Sequence, residues 1–231
     1  MEKSNLWYLE NIDAQGIFCP KKLGSSAPGH GFHSFSKGDL IFEPSQKADK
    51  VYFISSGRVK IASDKQGDKS ITKAILGQGE VFGELAILSN NERRDYAIAM
   101  ERTEICEISK DNLTSLFREH NPLFLFMMNL IGNRALEMEK RLESLVFKDS
   151  RSRIIEFLVD LNSKKGQRVG YEWVVRKFIT HQEIANLTAT SRQTVTTVLN
   201  ELKTKNIITF NRKRLLIRDL DQLKSETHIA A

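Results

Sequence analysis

Between residues 122 and 147 the apolar side chains Met127, Ile131, Ala135, Met138, Leu142 and Leu145 recur at steps of 4, 4, 3, 4 and 3. That period is helical and close to a heptad. After Pro122 the run has no interior proline and a single glycine, Gly132. At 1.5 Å per residue, about 26 residues make a rod on the order of 39 Å long. Such a rod overhangs a small domain. Its stripe can pack on the chain's own domains, on the same stripe of a second copy, or on both. The expectation is both, with a homodimer formed through this helix. The plainer alternative is a monomer that buries the helix by itself.

The rod separates two stretches of different character. From about residue 32 to 109 the sequence reads as short strands between turn residues: DLIFE, VYFIS, RVKIAS, SITKAIL, EVF, DYAIAM and TEICEIS. Gly57, Gly67, Gly77 and Gly79 punctuate them. Closely spaced short strands point to an all-β sandwich or barrel. Gly38-Asp39 and Ser56-Gly57 read as turns that want positive φ.

Beyond the rod, Asp149 reads as the N-cap of a new helix, RSRIIEFLVDLN, and as a hinge. Lys164-Lys165-Gly166 ends that helix, and RVGYEWVVRKF is strand-like. Charge divides along the same line. Residues 1–149 carry 20 Lys+Arg and 21 Asp+Glu, whereas residues 150–231 carry 15 and 8. The net +6 of the 231-residue chain therefore lies entirely in its last part, which suggests a polyanionic partner there.

Residues 180–210, THQEIANLTATSRQTVTTVLNELKTKNIITF, carry the most specific signal. Thr180 and Glu183 have capping-box spacing. Ile184, Ala185 and Leu187 supply the apolar face of one short helix. After the turn Thr188-Ala189-Thr190, Ser191 caps a second helix with Val195, Val198, Leu199 and Leu202 at helical spacing. Two short helices joined tightly form a helix-turn-helix. Arg192, Gln193, Thr196 and Thr197 lie off the apolar stripe in the first two turns of the second helix, the part that meets base edges in the major groove. Arginine suits guanine, and glutamine suits adenine. Downstream, IITF and RLLIRD flank a hairpin wing whose tip carries Arg212, Lys213 and Arg214, suited to phosphate. His181 stands at the start of the first helix, in reach of phosphate or simply on the surface. The plainer reading is a helical hairpin for protein contacts.

Together these parts resemble the Crp/Fnr family of bacterial transcription regulators over roughly residues 32–218. The resemblance rests on a Gly-rich β-roll with Phe82-Gly83-Glu84, a long helix, Phe147-Lys148-Asp149, and S-R-x-T-V at residues 191–195. It implies an α+β architecture: an N-terminal β-roll (jelly-roll) sensor domain over residues 1–121, a long dimerisation helix over 122–148, and a C-terminal winged helix-turn-helix over 149–231. It further implies double-stranded DNA with near-palindromic sites and RNA polymerase as partners. In members that bind cyclic AMP, Gly-Glu contacts the ribose and an arginine ten residues on holds the phosphate. Phe82, Gly83, Glu84, Leu85 and Arg94 fit that cradle. Asp95 stands where such members carry serine. Met138 and Glu139 stand where they carry the adenine-binding Thr-Ser pair. These departures argue for a small-molecule effector other than cyclic AMP, or for none. The family's recognition helix commonly carries Glu and a later Arg where Gln193 and Thr197 stand, so its usual half-site is not assumed.

The rest is exclusion. No run of 18 or more apolar residues is present, so no membrane helix is expected. The acidic N-terminus lacks a signal-peptide core, which places the protein in the cytoplasm. Cys19 and Cys106 are read as two reduced thiols, too few for an iron–sulfur sensor. A haem site drawn from Cys19, His30 and His33 is less favoured than plain loop sequence. No cofactor or metal is expected. No nucleophile with a base and no P-loop is legible, so the chain is not read as an enzyme. Two alternatives stay open: a cyclic-AMP-responsive regulator, and a nucleotide-binding module that docks a partner protein.

Overall fold

The computed structural model describes residues 14–19, 29–65, 69–88, 92–119 and 121–228. The chain divides into two compact units, Met1–Leu136 and Glu137–Ala231.

The first unit opens with α1 (Ala14–Phe18), followed by β1 (His30–Phe35), β2 (Leu40–Phe42), β3 (Lys50–Ser56), β4 (Val59–Lys65), β5 (Lys69–Leu76), β6 (Val81–Phe82), α2 (Leu85–Leu88), β7 (Tyr96–Ala99), β8 (Thr103–Ser109) and α3 (Lys110–Glu119). Two four-stranded sheets, ordered β1-β8-β3-β6 and β2-β7-β4-β5, form the roll, and all their pairings are antiparallel. Each of the seven strand candidates in the sequence overlaps an observed strand.

β3 shows why the roll is two layers thick. Its five central residues, Val51 to Ser55, are all buried. Side chains alternate across a strand, so Tyr52 and Ile54 join Phe42, Val59, Phe82 and Ile105 between the sheets. Val51 and Phe53 point the other way, to Phe18, Ile108, Leu113, Leu123 and Met127. Gly57 permits the β3–β4 turn: its φ is 91°, and a Cβ there would stand 2.7 Å from the Arg102 carbonyl oxygen.

That outer cluster corrects one expectation. Cys19 and Cys106 are joined as a disulfide, with Cα atoms 5.4 Å apart. α1 lies on the outer face of β3 and β8, with Phe18 stacked on Phe53 at 5.8 Å. This packing brings Cys19 onto Cys106 across 87 residues of sequence, a separation that conceals the pairing from a reading along the chain.

α4 (Asn121–Phe147) is a continuous helix of 27 residues, about 40 Å long. Leu123 and Met127 are buried, and Ile131 is half-buried. Farther on, Leu136, Met138, Leu142, Leu145, Val146 and Phe147 are 48–80 % exposed. Among the described residues, only the start of the stripe is buried.

The second unit contains α5 (Ser150–Lys165), β9 (Gly166–Val169), β10 (Glu172–Arg176), α6 (His181–Thr188), α7 (Arg192–Thr204), β11 (Ile208–Phe210), β12 (Arg214–Ile217) and α8 (Leu220–Ser225). Its antiparallel sheet is ordered β11-β12-β10-β9. Asp149 caps α5 by accepting from the Ser152 amide at 2.7 Å. Among the described residues, no helix is long and apolar enough to cross a membrane.

Candidate nucleic-acid interface and effector site

The Thr180–Glu183 capping box is complete and starts α6. α6 ends at Ala189, whose φ of 51° turns the chain sharply. The Ser191 hydroxyl then accepts from the Thr194 amide at 3.0 Å and starts α7. Val195, Val198, Leu199 and Leu202 are buried, as are Ile184 and Ala185 of α6. This packing leaves the opposite side of the first two turns of α7 outward. Arg192, Gln193 and Thr197 are exposed, and Thr196 is half-buried.

Thr196 is already engaged. Its hydroxyl donates to the Arg192 carbonyl at 2.9 Å and lies 2.9 Å from Nδ1 of His181. His181 thereby ties the start of α6 to α7. Burial, then the charge of Arg192, lowers its pKa from the ordinary value.

At the wing, Asn211 Oδ1 accepts from the Lys213 and Arg214 amides at 2.8 and 3.0 Å. This turn holds Arg212, Lys213 and Arg214 at an exposed tip. Phe210 anchors the wing beside α6, with Phe178 at 6.3 Å and His181 edge-on at 5.5 Å. Thr180, His181, Ser191, Arg192, Gln193, Thr196 and Thr197 thus lie on two consecutive helices and their N-caps, and the three wing cations lie in the β11–β12 turn and at the start of β12. Thr180 and Ser191 spend their hydroxyls as caps.

Arg153 was not singled out in the sequence, yet it holds the motif together. Its guanidinium donates to the Lys148, Thr188 and Ala189 carbonyls at 2.8, 3.0 and 3.2 Å. The end of α4, the start of α5 and the helix-turn-helix turn are fastened by one side chain. Its position four residues beyond an N-cap Asp was the only available signal.

In the first unit, Gly83 follows β6 with φ 75°, and a Cβ there would meet the Arg93 guanidinium at 2.9 Å. Glu84 is buried, with its carboxylate paired to Arg134 of α4. Arg134 also donates to the Val81 carbonyl. Phe82 is buried in the inter-sheet core, stacked on Tyr52 at 5.0 Å, while Leu85 is exposed.

The two consecutive arginines have different environments. Arg93 is buried; it donates to the Lys50 and Gly83 carbonyls and lies over the Phe42 ring at 4.4 Å. Burial lowers its pKa. Arg94 is exposed. Asp95 pairs with Lys73 at 2.6 Å rather than with Arg94. Met138 is exposed on α4, in the second unit. Of the residues considered for haem, Cys19 is in the disulfide, His30 Nε2 lies 3.1 Å from the Ile17 carbonyl oxygen, and His33 faces Glu107 at 3.3 Å. Arg93, Arg134 and Lys73 are cations of this region that the sequence alone does not single out.

Comparison with known proteins decides the family. The cyclic nucleotide-binding domain matches residues 32–120, and the Crp-like helix-turn-helix domain matches residues 152–226. A protein named Cyclic AMP receptor protein from Thermus thermophilus is 30% identical over 174 residues, covering 75% of this chain and 77% of that protein. The chain belongs to the Crp/Fnr family. Among other Crp/Fnr relatives, the Global nitrogen regulator of Synechocystis sp. is 28% identical over 201 residues, covering 86% of this chain and 89% of the relative. A solved structure of a CooA mutant from Carboxydothermus hydrogenoformans aligns with TM-score 0.76 at 27% identity, covering 98% of this chain and 97% of that one. FixK2 from Bradyrhizobium japonicum, at 19% identity and TM-score 0.75 over 87% of this chain and 99% of its own, shares the fold. As in the Crp/Fnr relatives, an N-terminal β-roll, a long helix and a C-terminal helix-turn-helix follow in order.

Proposed function

We propose that this Crp/Fnr protein is a sequence-specific transcription regulator. It acts in the cytoplasm as a homodimer on a near-palindromic site and works through RNA polymerase. One observation carries the reading: the first turn of α7 presents Arg192 and Gln193 outward, beside a wing whose three cations are exposed. The N-terminal turns of such a helix read base edges, while the wing cations meet phosphates. The apolar stripe of α4 beyond Leu136 supports the dimer, because a second copy of the same helix covers it by knobs-into-holes packing. The chain is a regulator rather than an enzyme.

The effector is a small molecule other than cyclic AMP, or none. Glu84 is already paired with Arg134, and Asp95 with Lys73. Met138 offers no donor to a purine. The cyclic-AMP reading keeps one support, the Thermus relative whose name states that ligand. A nucleotide-binding module that docks a partner protein is the remaining alternative. The deciding experiment is selection of bound sites from random DNA with and without cyclic AMP, paired with calorimetric titration of cyclic AMP. Enrichment of a two-fold symmetric site that is indifferent to cyclic AMP supports the proposal. Micromolar cyclic-AMP binding that sharpens enrichment establishes the second reading, and no enrichment under any condition rejects both.

A further inference from the structure

The wing sheet holds a charge arrangement that folding alone disfavours. Arg176 of β10 stands directly opposite Arg214 of β12 in an antiparallel pair. Such partners project from the same face, and like charges placed there destabilise a sheet. Both side chains are exposed, and among the described residues neither has a carboxylate partner. The chain leaves β10 through Lys177, whose φ of 55° is left-handed, an uncommon conformation for a side-chain-bearing residue. The turn is held in place: the Phe178 amide donates to the Lys213 carbonyl at 3.3 Å, and the Phe178 ring lies against Phe210. Arg176 and Lys177 are therefore fixed beside the wing-tip cations. Three residues after Lys177 the chain reaches Thr180, the N-cap of α6.

We propose that Arg176 and Lys177 form a phosphate-binding strip, continuous with the wing, that grips the DNA backbone outside the bases faced by α7. This inference rests on the DNA-binding reading above. A phosphate between Arg176 and Arg214 converts their repulsion into shared attraction, and the guanidinium fork fits its oxygens. Backbone contacts of this kind set affinity and register and carry no sequence information.

The test is a double variant, Arg176→Gln with Lys177→Gly. Glycine accommodates the left-handed turn, so the route from sheet to helix is kept, and circular dichroism checks the fold. Affinity for a selected site and for random duplex is measured from 50 to 200 mM salt. Loss of two phosphate contacts per protomer, four per dimer, lowers the log–log salt slope by about 3.6, so the native protein's advantage over the variant shrinks about 150-fold across that range. The expected change is the same on both DNAs, with base preferences intact. If the double variant does not fold, Arg176→Gln alone, which removes one contact from each protomer, lowers the slope by about 1.8. An unchanged slope in a folded variant overturns the strip while native specific binding leaves the α7 reading standing. Altered base preference at constant slope also overturns it. A native protein that binds no DNA removes the strip and the DNA-binding reading together.

Discussion

Arg93 and Arg94 are neighbours in sequence and opposites in environment. The inward one is set by backbone pairing: the Ser45 amide donates to the Arg93 carbonyl at 2.9 Å, and the Arg93 amide to the Gln46 carbonyl at 2.7 Å. That register turns the Arg93 side chain under Gly83 and leaves Arg94 in solvent. Counting along the sequence reveals two arginines after Phe-Gly-Glu, but not which one the strand pairing buries, because a one-residue shift exchanges the faces. Arg93→Ala strips the donor from two carbonyls and is expected to cost about 2 kcal/mol or more. Arg94→Ala is expected to stay within about 0.5 kcal/mol of the native protein. Urea unfolding checks both, and equal costs would contradict the assignment. An anionic effector, if present, is expected to lose affinity with Arg94→Ala at unchanged stability.

At the scale of elements, the caps carry much of the C-terminal architecture. The Ser152 amide, then the Ser152 side chain, lowers the Asp149 pKa from its ordinary value. The folded state therefore favours the carboxylate. Its contribution is present above the ordinary aspartate range near 4 and is lost as pH falls through the lower folded pKa. Asp149→Ala is expected to cost about 1 kcal/mol at neutral pH. Asp149→Asn is expected to retain most of the cap and to flatten the acid dependence, and unfolding curves from pH 6 to 3 separate the variants. Cap spacings of this kind are legible in sequence, which is why α5, α6 and α7 were foreseen close to their observed starts. Other elements were not. β1, HGFHSF, is largely exposed and polar and lacks alternation. α3 buries Leu113 and half-buries Leu116 and Phe117, a helical spacing that a reading focused on strands passed over. The disulfide, Arg134 and Arg153 act across distances in sequence that no local pattern encodes.

For the whole molecule, the proposed dimer joins the exposed part of α4 and the basic C-terminal unit in one mechanism. In that proposed dimer the paired helices carry two copies of α7, and half-sites about one DNA turn apart follow from the symmetry. Leu142→Glu combined with Leu145→Glu is expected to give a monomer by sedimentation and to weaken specific DNA binding much more than non-specific binding. A variant that stays dimeric would move the interface away from α4. The central claim is that α7 reads bases, and one measurement tests it most directly: binding energies of native and Arg192→Ala protein for every single-base variant of a selected site. The account predicts two inverted half-sites in the native profile. In the Arg192→Ala profile, discrimination of roughly 1–3 kcal/mol disappears at one position in each half-site and remains at the others. A uniform loss on all sequences, with every base preference retained, would contradict it.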